Sequence, residues 1–262
     1  MNLVTASQKA QPHIQEYAKG VAKDLGLTFV PRKGQSLPNL MRTYESDYIL
    51  IITDKGPFIY FGEKEEHHFH LSMAQLRLLR LDRGQADYLV NALKIPHGEV
   101  QSILDCTMGL GSDSIIMAYG APQATVVGLE MVLPLWYVTT YGLSHFEHER
   151  QAVTDALRRI EPVYSNYMDY LTHCDDDSFD VVYFDPMFEV PVVDSPQFKG
   201  LRGHIQEQPL SVDAFNEAKR VAKYKVIIKE RPFASVFKEW PPTEWIGGKY
   251  SRIGYGVYTK EL

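Results

Sequence analysis

The sequence predicts an α/β protein, a mostly parallel seven-stranded sheet with a C-terminal antiparallel hairpin, preceded by a small α+β domain. Three observations predict it. From residue 100 onward, short apolar runs alternate with helical stretches, as parallel strands joined by crossover helices do. The first of these runs ends in Asp105 and a Gly-rich turn, Gly109-Leu-Gly111, which opens onto the apolar stretch from Ile115 to Tyr119. The last two runs, residues 243–246 and 255–259, flank Gly247-Gly248 and read as an antiparallel pair.

Composition sets the bounds. The chain has 262 residues, 45% apolar and 23% charged, enough for one large domain and a smaller extension. No apolar run approaches the ~20 residues that span a bilayer. The N-terminus lacks a basic stretch followed by an apolar one, so a cytoplasmic protein without membrane association is expected. Cys106 and Cys174 give neither a disulfide framework nor metal-ligand spacing. A net charge of −6 argues against a surface wholly given to nucleic acid, while leaving room for a local basic patch.

Taken in order, residues 11–25 read as an amphipathic helix, with Pro12 in its first turn and Gly26 beyond its end. Residues 48–53 and 58–61 flank the turn 54–57 and form a hairpin. Residues 73–81 and 85–95 look helical. The boundary is placed at residues 81–83, giving a small domain over 1–82, a candidate for substrate recognition, and a main domain over 83–262. Within the latter, strands are expected at 102–105, 125–129, 162–165, 179–184 and 225–229, and helices at 114–119, 133–146, 149–160 and 212–222.

The Gly-rich turn alone is compatible with several cofactors. Glu130 follows the next strand, about twenty residues past the turn, where a carboxylate accepts hydrogen bonds from an adenosine ribose. NAD and S-adenosylmethionine (SAM) both carry that ribose. Ser114 stands where an NAD site wants a third Gly or Ala, and Asp113 at the helix mouth would repel a pyrophosphate. SAM carries no phosphate, and acidic groups near Asp105 and Gly109 suit its cationic end. The plainer reading is that Asp105, Thr107 and Asp113 cap the turn and the helix.

The second informative stretch is Asp185-Pro186-Met187-Phe188, which follows the buried run Val181-Val-Tyr-Phe184 at the carboxyl edge of the sheet, where ligands bind in open α/β folds. It is similar to the (Asn/Asp)-Pro-Pro-(Tyr/Phe) motif of enzymes that methylate exocyclic amines of nucleobases. The Asp185 carboxylate and the Pro186 carbonyl would accept the two N–H bonds of a poorly nucleophilic amine and orient its lone pair. Phe188 would offer a face for an extruded base to stack on. A simple Asp-Pro turn is the competing account.

Alternating strands with a closing hairpin match the Rossmann-like plan of class I SAM-dependent methyltransferases. Asp105-x-Thr107-x-Gly109-Leu110-Gly111-x-Asp113, Val181-Val-Tyr-x-Asp185-Pro-Met-Phe188, Arg83-Gly84 and Lys229-x-Arg231-Pro232 together resemble the small-subunit rRNA guanine-N2 methyltransferase J family. The resemblance spans roughly residues 83–233 and shares Met187 with that family. It implies SAM as donor and a guanine N2 amine in rRNA, or in the small ribosomal subunit, as acceptor. It implies cofactor roles for Asp105, Thr107, Gly109, Gly111, Asp113 and Glu130, with Asp185 at the reacting amine. By the same resemblance Asn166 and Asp169, after the third strand, would hold the adenine. Residues 1–82 do not align, so an acceptor on a protein or a small molecule, or a binding module without activity, stays open.

Other features are read blandly. The loop 189–209 is long for an unstructured connection and carries Lys199, Arg202 and His204; it is a substrate lid or a solvated loop. His67, His68 and His70 sit too close together for a strong metal site and are expected on a surface or substrate-facing strand. Cys106 follows no proline, as the nucleophile of C5-pyrimidine methyltransferases does, and is expected to pack beside the cofactor.

Overall fold

The structure is a computed structural model that describes residues 2–62, 65–186, 210–249 and 251–260. Among these, residues 2–70 and Val132–Gly142 form one compact unit. Residues 71–131, 143–186 and those from 210 onward belong to a second.

The first unit is built on a five-stranded sheet of order β2-β1-β3-β4-β5. Its strands are β1 (Leu3–Ala6), β2 (Thr28–Phe29), β3 (Ile49–Thr53), β4 (Gly56–Gly62) and β5 (Glu65–His68). The expected hairpin is β3–β4, paired antiparallel from Ile49↔Tyr60 to Thr53↔Gly56. Because side chains alternate along a strand, β3 serves two cores. Leu50 and Ile52 pack with Ala18, Val21 and Ala22 of α1 (Pro12–Asp24) and with Val138 of α6 (Leu133–His145). Ile49 and Ile51 pack with Leu40 of α2 (Leu37–Tyr44). β1 and β2 are absent from the sequence reading because β1 is buried along its length and β2 is two residues long, so neither shows a period; α2 is absent too, although Leu37, Leu40, Met41 and Tyr44 recur at helical spacing. β5, an edge strand, carries His67 and His68 with His70 just beyond it, and His67 is buried rather than at the surface, its basicity lowered to about 4 by burial and then by His70 and His68.

The second unit holds a seven-stranded sheet of order β11-β12-β10-β9-β6-β7-β8. Its strands are β6 (Ser102–Asp105), β7 (Thr125–Glu130), β8 (Ile160–Tyr164), β9 (Phe179–Phe184), β10 (Ala222–Glu230), β11 (Glu244–Ile246) and β12 (Gly254–Thr259). Strands β6 to β10 run parallel, and β12 returns antiparallel to both β10 and β11. The expected fold class is therefore found. One face carries α3 (Ser72–Asp82), α4 (Tyr88–Leu93), α5 (Ser112–Gly120) and α7 (Gln151–Arg158). The other carries α8 (Tyr167–Thr172) and α9 (Val212–Val221), whose Leu171, Ala214, Phe215 and Ala218 pack on Val182, Phe184, Val226 and Ile228. α10 (Ser235–Glu239) precedes the hairpin.

Boundaries shift from the sequence reading: β8 begins at Ile160, where the helix expected over 149–160 would still run, β10 begins at Ala222 rather than 225, and two further shifts have a clear cause. The helix expected over 85–95 starts only at Tyr88, because the Asp87 carboxylate accepts the backbone N–H groups of Leu89 at 2.9 Å and Val90 at 3.3 Å and so caps it. The chain divides at His70–Leu71 rather than at 81–83, since α3 packs on α5 within the second unit. The chain order places β6 and β9 side by side although β7 and β8 intervene in sequence. That reversal is the switch point at which open α/β sheets form their crevice.

Candidate functional site

Three carboxyl groups mark the carboxyl edge at the switch point: Asp105 ends β6, Glu130 ends β7, and Asp185 directly follows β9. After Asp105 the chain turns through Gly109 (φ +53°) and Gly111 (φ +78°), left-handed conformations that glycine adopts without a Cβ penalty. Gly111 is the N-cap of α5 and its N–H returns to the Met108 carbonyl at 2.8 Å. The Met108 N–H donates to the Leu129 carbonyl at 2.9 Å, which ties the turn to β7.

Asp105 is almost wholly buried. It accepts the Thr107 N–H at 3.0 Å and the Ser114 hydroxyl at 2.5 Å, so Ser114 occupies its place for a reason the glycine pattern did not reveal. Burial raises its carboxyl to about 7; those two hydrogen bonds work against the rise, and the negative charges of Asp113 and Asp185 add to it. The Thr107 hydroxyl in turn accepts the Asp185 N–H at 2.6 Å. This bond joins the two motifs read from the sequence across the ends of β6 and β9, beside the Cys106 N–H to Tyr183 carbonyl bond of 2.9 Å. Pro186 follows, half-buried. Met187, Phe188 and the 189–209 loop lie outside the described residues.

Asp113 takes a different place from the one expected. Both of its oxygens are engaged: Oδ1 accepts from Arg77 at 2.5 Å, while Oδ2 accepts from Lys229 at 2.8 Å and from the Tyr183 hydroxyl at 2.7 Å. Burial opposes its ionisation, but Lys229 and Arg77 overcome that and hold the carboxyl well below its usual range. Its charge is therefore neutralised within the protein and is not the bare repulsion assumed at the helix mouth. Lys229, at the carboxyl end of β10, also donates to Asp185 Oδ2 at 2.6 Å. Arg77 grips Asp87 with two bonds of 2.7 Å.

The result is a line of alternating charges, Asp87–Arg77–Asp113–Lys229–Asp185, running to the crevice. Sequence reasoning gave Lys229 no role and missed Arg77 altogether. Each carried a signal, a cation set in an apolar run: Arg77 within Leu76-Arg-Leu-Leu79, and Lys229 closing Val226-Ile-Ile-Lys229.

Glu130 is buried at the end of β7, and the adjoining Ser165 N–H donates to the Glu130 carbonyl at 3.2 Å. Asn166 caps α8, its side-chain oxygen accepting the Met168 N–H at 2.8 Å, while its amide NH2 lies 4.0 Å from the Met131 Sδ. Asp169 is exposed in the first turn of α8, where a carboxylate also suits the helix dipole. Cys106 is buried beside the turn, its thiol raised well above the usual range by burial first. Among the described residues no group of three or more His, Cys, Asp and Glu side chains is placed to hold a metal ion. No described helix is long and apolar enough to cross a membrane.

This donor set fits SAM. The edge offers carboxyl groups for a cationic sulfur and two ribose hydroxyls, with a glycine turn for close backbone approach, while Lys229 and Arg77 are already bound to carboxylates rather than offered to a phosphate.

Comparison with known proteins agrees. An uncharacterised protein of Bacillus subtilis, YpiP, is 28% identical over 99% of this chain and 95% of its own length. The ribosomal RNA small subunit methyltransferase J of Ectopseudomonas mendocina is 23% identical over 96% of this chain and 92% of its own. That of Thioalkalivibrio sulfidiphilus is 27% identical over 64% and 67%. The solved structure of the SAM-dependent methyltransferase NGO1261 of Neisseria gonorrhoeae shares the fold, with a TM-score of 0.65, 18% identity, and coverage of 99% of this chain and 96% of that one. Residues 66–260 match the SAM_MT family model, and the chain therefore belongs to the SAM-dependent methyltransferases and uses SAM as its cofactor.

Proposed function

We propose that this enzyme, in the cytoplasm, methylates the exocyclic N2 amine of a guanine in small-subunit rRNA. The observation that carries the proposal is the bond from the Asp185 N–H to the Thr107 hydroxyl, which holds an Asp-Pro pair beside the glycine turn. SAM supplies an electrophilic methyl group. Asp185 and the Pro186 carbonyl accept the two amine N–H bonds and aim the nitrogen lone pair, the contribution that proximity and orientation make to a transfer of this kind. Asp105, Thr107, Gly109 and Gly111 shape the cofactor turn, Glu130 takes the ribose hydroxyls, and Asn166 and Asp169 lie toward the adenine. Asp113 acts at one remove, through Lys229. Phe188 stacks on the base, and residues 1–82 select the RNA. The relatives named as rRNA methyltransferases support this acceptor.

The test compares small-subunit rRNA from cells with and without the protein by mass mapping. One N2-methylguanosine is expected to disappear and to return with the purified enzyme and SAM. In the same assay, Asp185→Ala is expected to lower turnover by about 10²–10³-fold while cofactor affinity stays within about threefold. An unchanged rRNA map would move the acceptor to a protein or a small molecule. Retained turnover in Asp185→Ala would remove Asp185 from the reaction.

A further inference from the structure

We propose that Lys229 is a positioning residue of the methyl-transfer site. Its ammonium, anchored through Asp113 and Arg77 to Asp87, grips one oxygen of the Asp185 carboxylate and leaves the other for the substrate amine. The inference rests on the reading of Asp185 as the group that receives that amine.

The geometry supports a device aimed at the crevice. Lys229 Nζ lies 2.6 Å from Asp185 Oδ2 and 2.8 Å from Asp113 Oδ2, so the ammonium cannot follow Asp185 if that side chain turns. Asp113 is itself fixed at three points, by Arg77, Lys229 and the Tyr183 hydroxyl. Arg77 is held by the bidentate pair with Asp87, and Asp87 caps α4. Every member of the line thus has a partner behind it. Only Asp185, with 28% of its side chain exposed, stands at the open end. Burying a row of ions is a poor way to gain stability, since apolar side chains of the same volume do as well or better. It is an effective way to hold one carboxylate in a fixed rotamer, the preorganisation that transfer chemistry exploits.

The line also sets the protonation state of Asp185. Its carboxyl is raised by burial and by the charge of Asp113, and Lys229 pulls against both. The titratable and charged groups around it are Lys229 on β10, Asp113 on α5, Asp105 on β6 and Tyr183 on β9; Tyr255 on β12 and Arg77 on α3 act on Lys229 and Asp113. Removing Lys229 leaves burial and the anions unopposed. The Asp185 carboxyl must then rise, and its ionised fraction at neutral pH must fall.

The experiment uses the full chain as Lys229→Met and Lys229→Arg. Methyl transfer to small-subunit rRNA from cells lacking the protein is followed from pH 6 to pH 9, and ¹³C-carboxyl NMR of Asp185 is recorded across the same range. Lys229→Met is expected to lower kcat by about 10²-fold at pH 7, with KM for RNA and the affinity for S-adenosylhomocysteine within about threefold. The acid limb of its kcat profile should move to higher pH, with part of the activity regained as pH rises, and the Asp185 titration should move with it. Lys229→Arg should restore activity to within about tenfold.

A Lys229→Met enzyme with an unshifted kcat profile and an unshifted Asp185 titration overturns the proposal, whatever its activity. Should that variant fail to fold, Lys229→Gln, which keeps a polar amide without the charge, is read in the same way. If the wild type leaves rRNA unmethylated while the Asp185 titration shifts as stated, the acceptor reading fails and the Lys229–Asp185 pairing stands. If the wild type is active and the titration does not move, the pairing fails and the acceptor reading stands.

Discussion

Where the five-stranded sheet buries Ile49, Leu50, Ile51 and Ile52 in succession, the seven-stranded sheet ends its run Val226–Ile228 on Lys229 and, two strands away, ends Leu104 on Asp105. The first interior is aliphatic, with polar exceptions such as Thr5, whose hydroxyl donates to the Val30 carbonyl at 2.6 Å. The second is mostly apolar along the strands, with Lys225 of β10 as an exception, and ionic near their carboxyl ends, where Asp105, Glu130 and Glu230 and, on α5, Asp113 are buried. Both sheets fold by removing apolar surface from water. Only one of them spends part of its interior on charges that contribute little net stability, and it does so at the carboxyl edge, where open α/β sheets bind ligands.

Paired substitutions should separate the two designs. Asp113→Ala removes the shared partner of Arg77 and Lys229 and is expected to cost about 3–5 kcal/mol, measured as a loss in denaturant midpoint. Leu50→Ala in the aliphatic sheet is expected to cost about 2–5 kcal/mol through transfer and cavity terms. The two differ in their response to pH. The Asp113 carboxyl is held below its usual range, so the stability it supplies is present above the unfolded-state value and is lost as pH falls through the folded one. The Asp113→Ala deficit should therefore shrink in acid, while the Leu50→Ala deficit should not change. Equal pH responses would erase the distinction between the sheets.

A smaller effect concerns the cofactor. Asp105 is raised to about 7, and a neighbouring cation favours its ionised form. SAM is expected to bind more tightly as pH rises from 6 to 8, gaining at most about tenfold per pH unit below the Asp105 value. Asp105→Asn should flatten this dependence. A flat wild-type profile would show that Asp105 supports the turn without sensing the ligand.

The parts of this design differed in how visible they were in the sequence. The parallel strands were legible because each is a short apolar run closed by a turn signal, and Asp105 and Asp185 were legible because they end such runs. β1 was not, since Leu3-Val-Thr-Ala6 is four residues buried along their whole length and carries no alternation. The early start assigned to the helix before β6 failed because a cap depends on where one carboxylate points, and Asp87 faces both α4 and Arg77. Asp113 stands out in the sequence as a charge at a helix mouth, yet its ionic partners lie 36 and 116 positions away in sequence. Local pattern carries no record of such pairings. Ser114 was read as a departure from a glycine rule, although its hydroxyl is what Asp105 leans on.

The line of charges that ends at Asp185 has an odd number of members. Asp87, Asp113 and Asp185 are set against Arg77 and Lys229, so one negative charge is left unbalanced when all are ionised, and the open end faces the crevice. A terminus of that kind holds a cation more firmly than a neutral molecule of the same outline. A methyl donor of the sulfonium type is a cation only until the methyl group has gone. The unbalanced charge is therefore expected to hold the loaded cofactor more firmly than the spent one, which limits product inhibition. The ratio of the two dissociation constants, compared between the wild type and Asp185→Asn, measures how much of that difference the odd charge supplies.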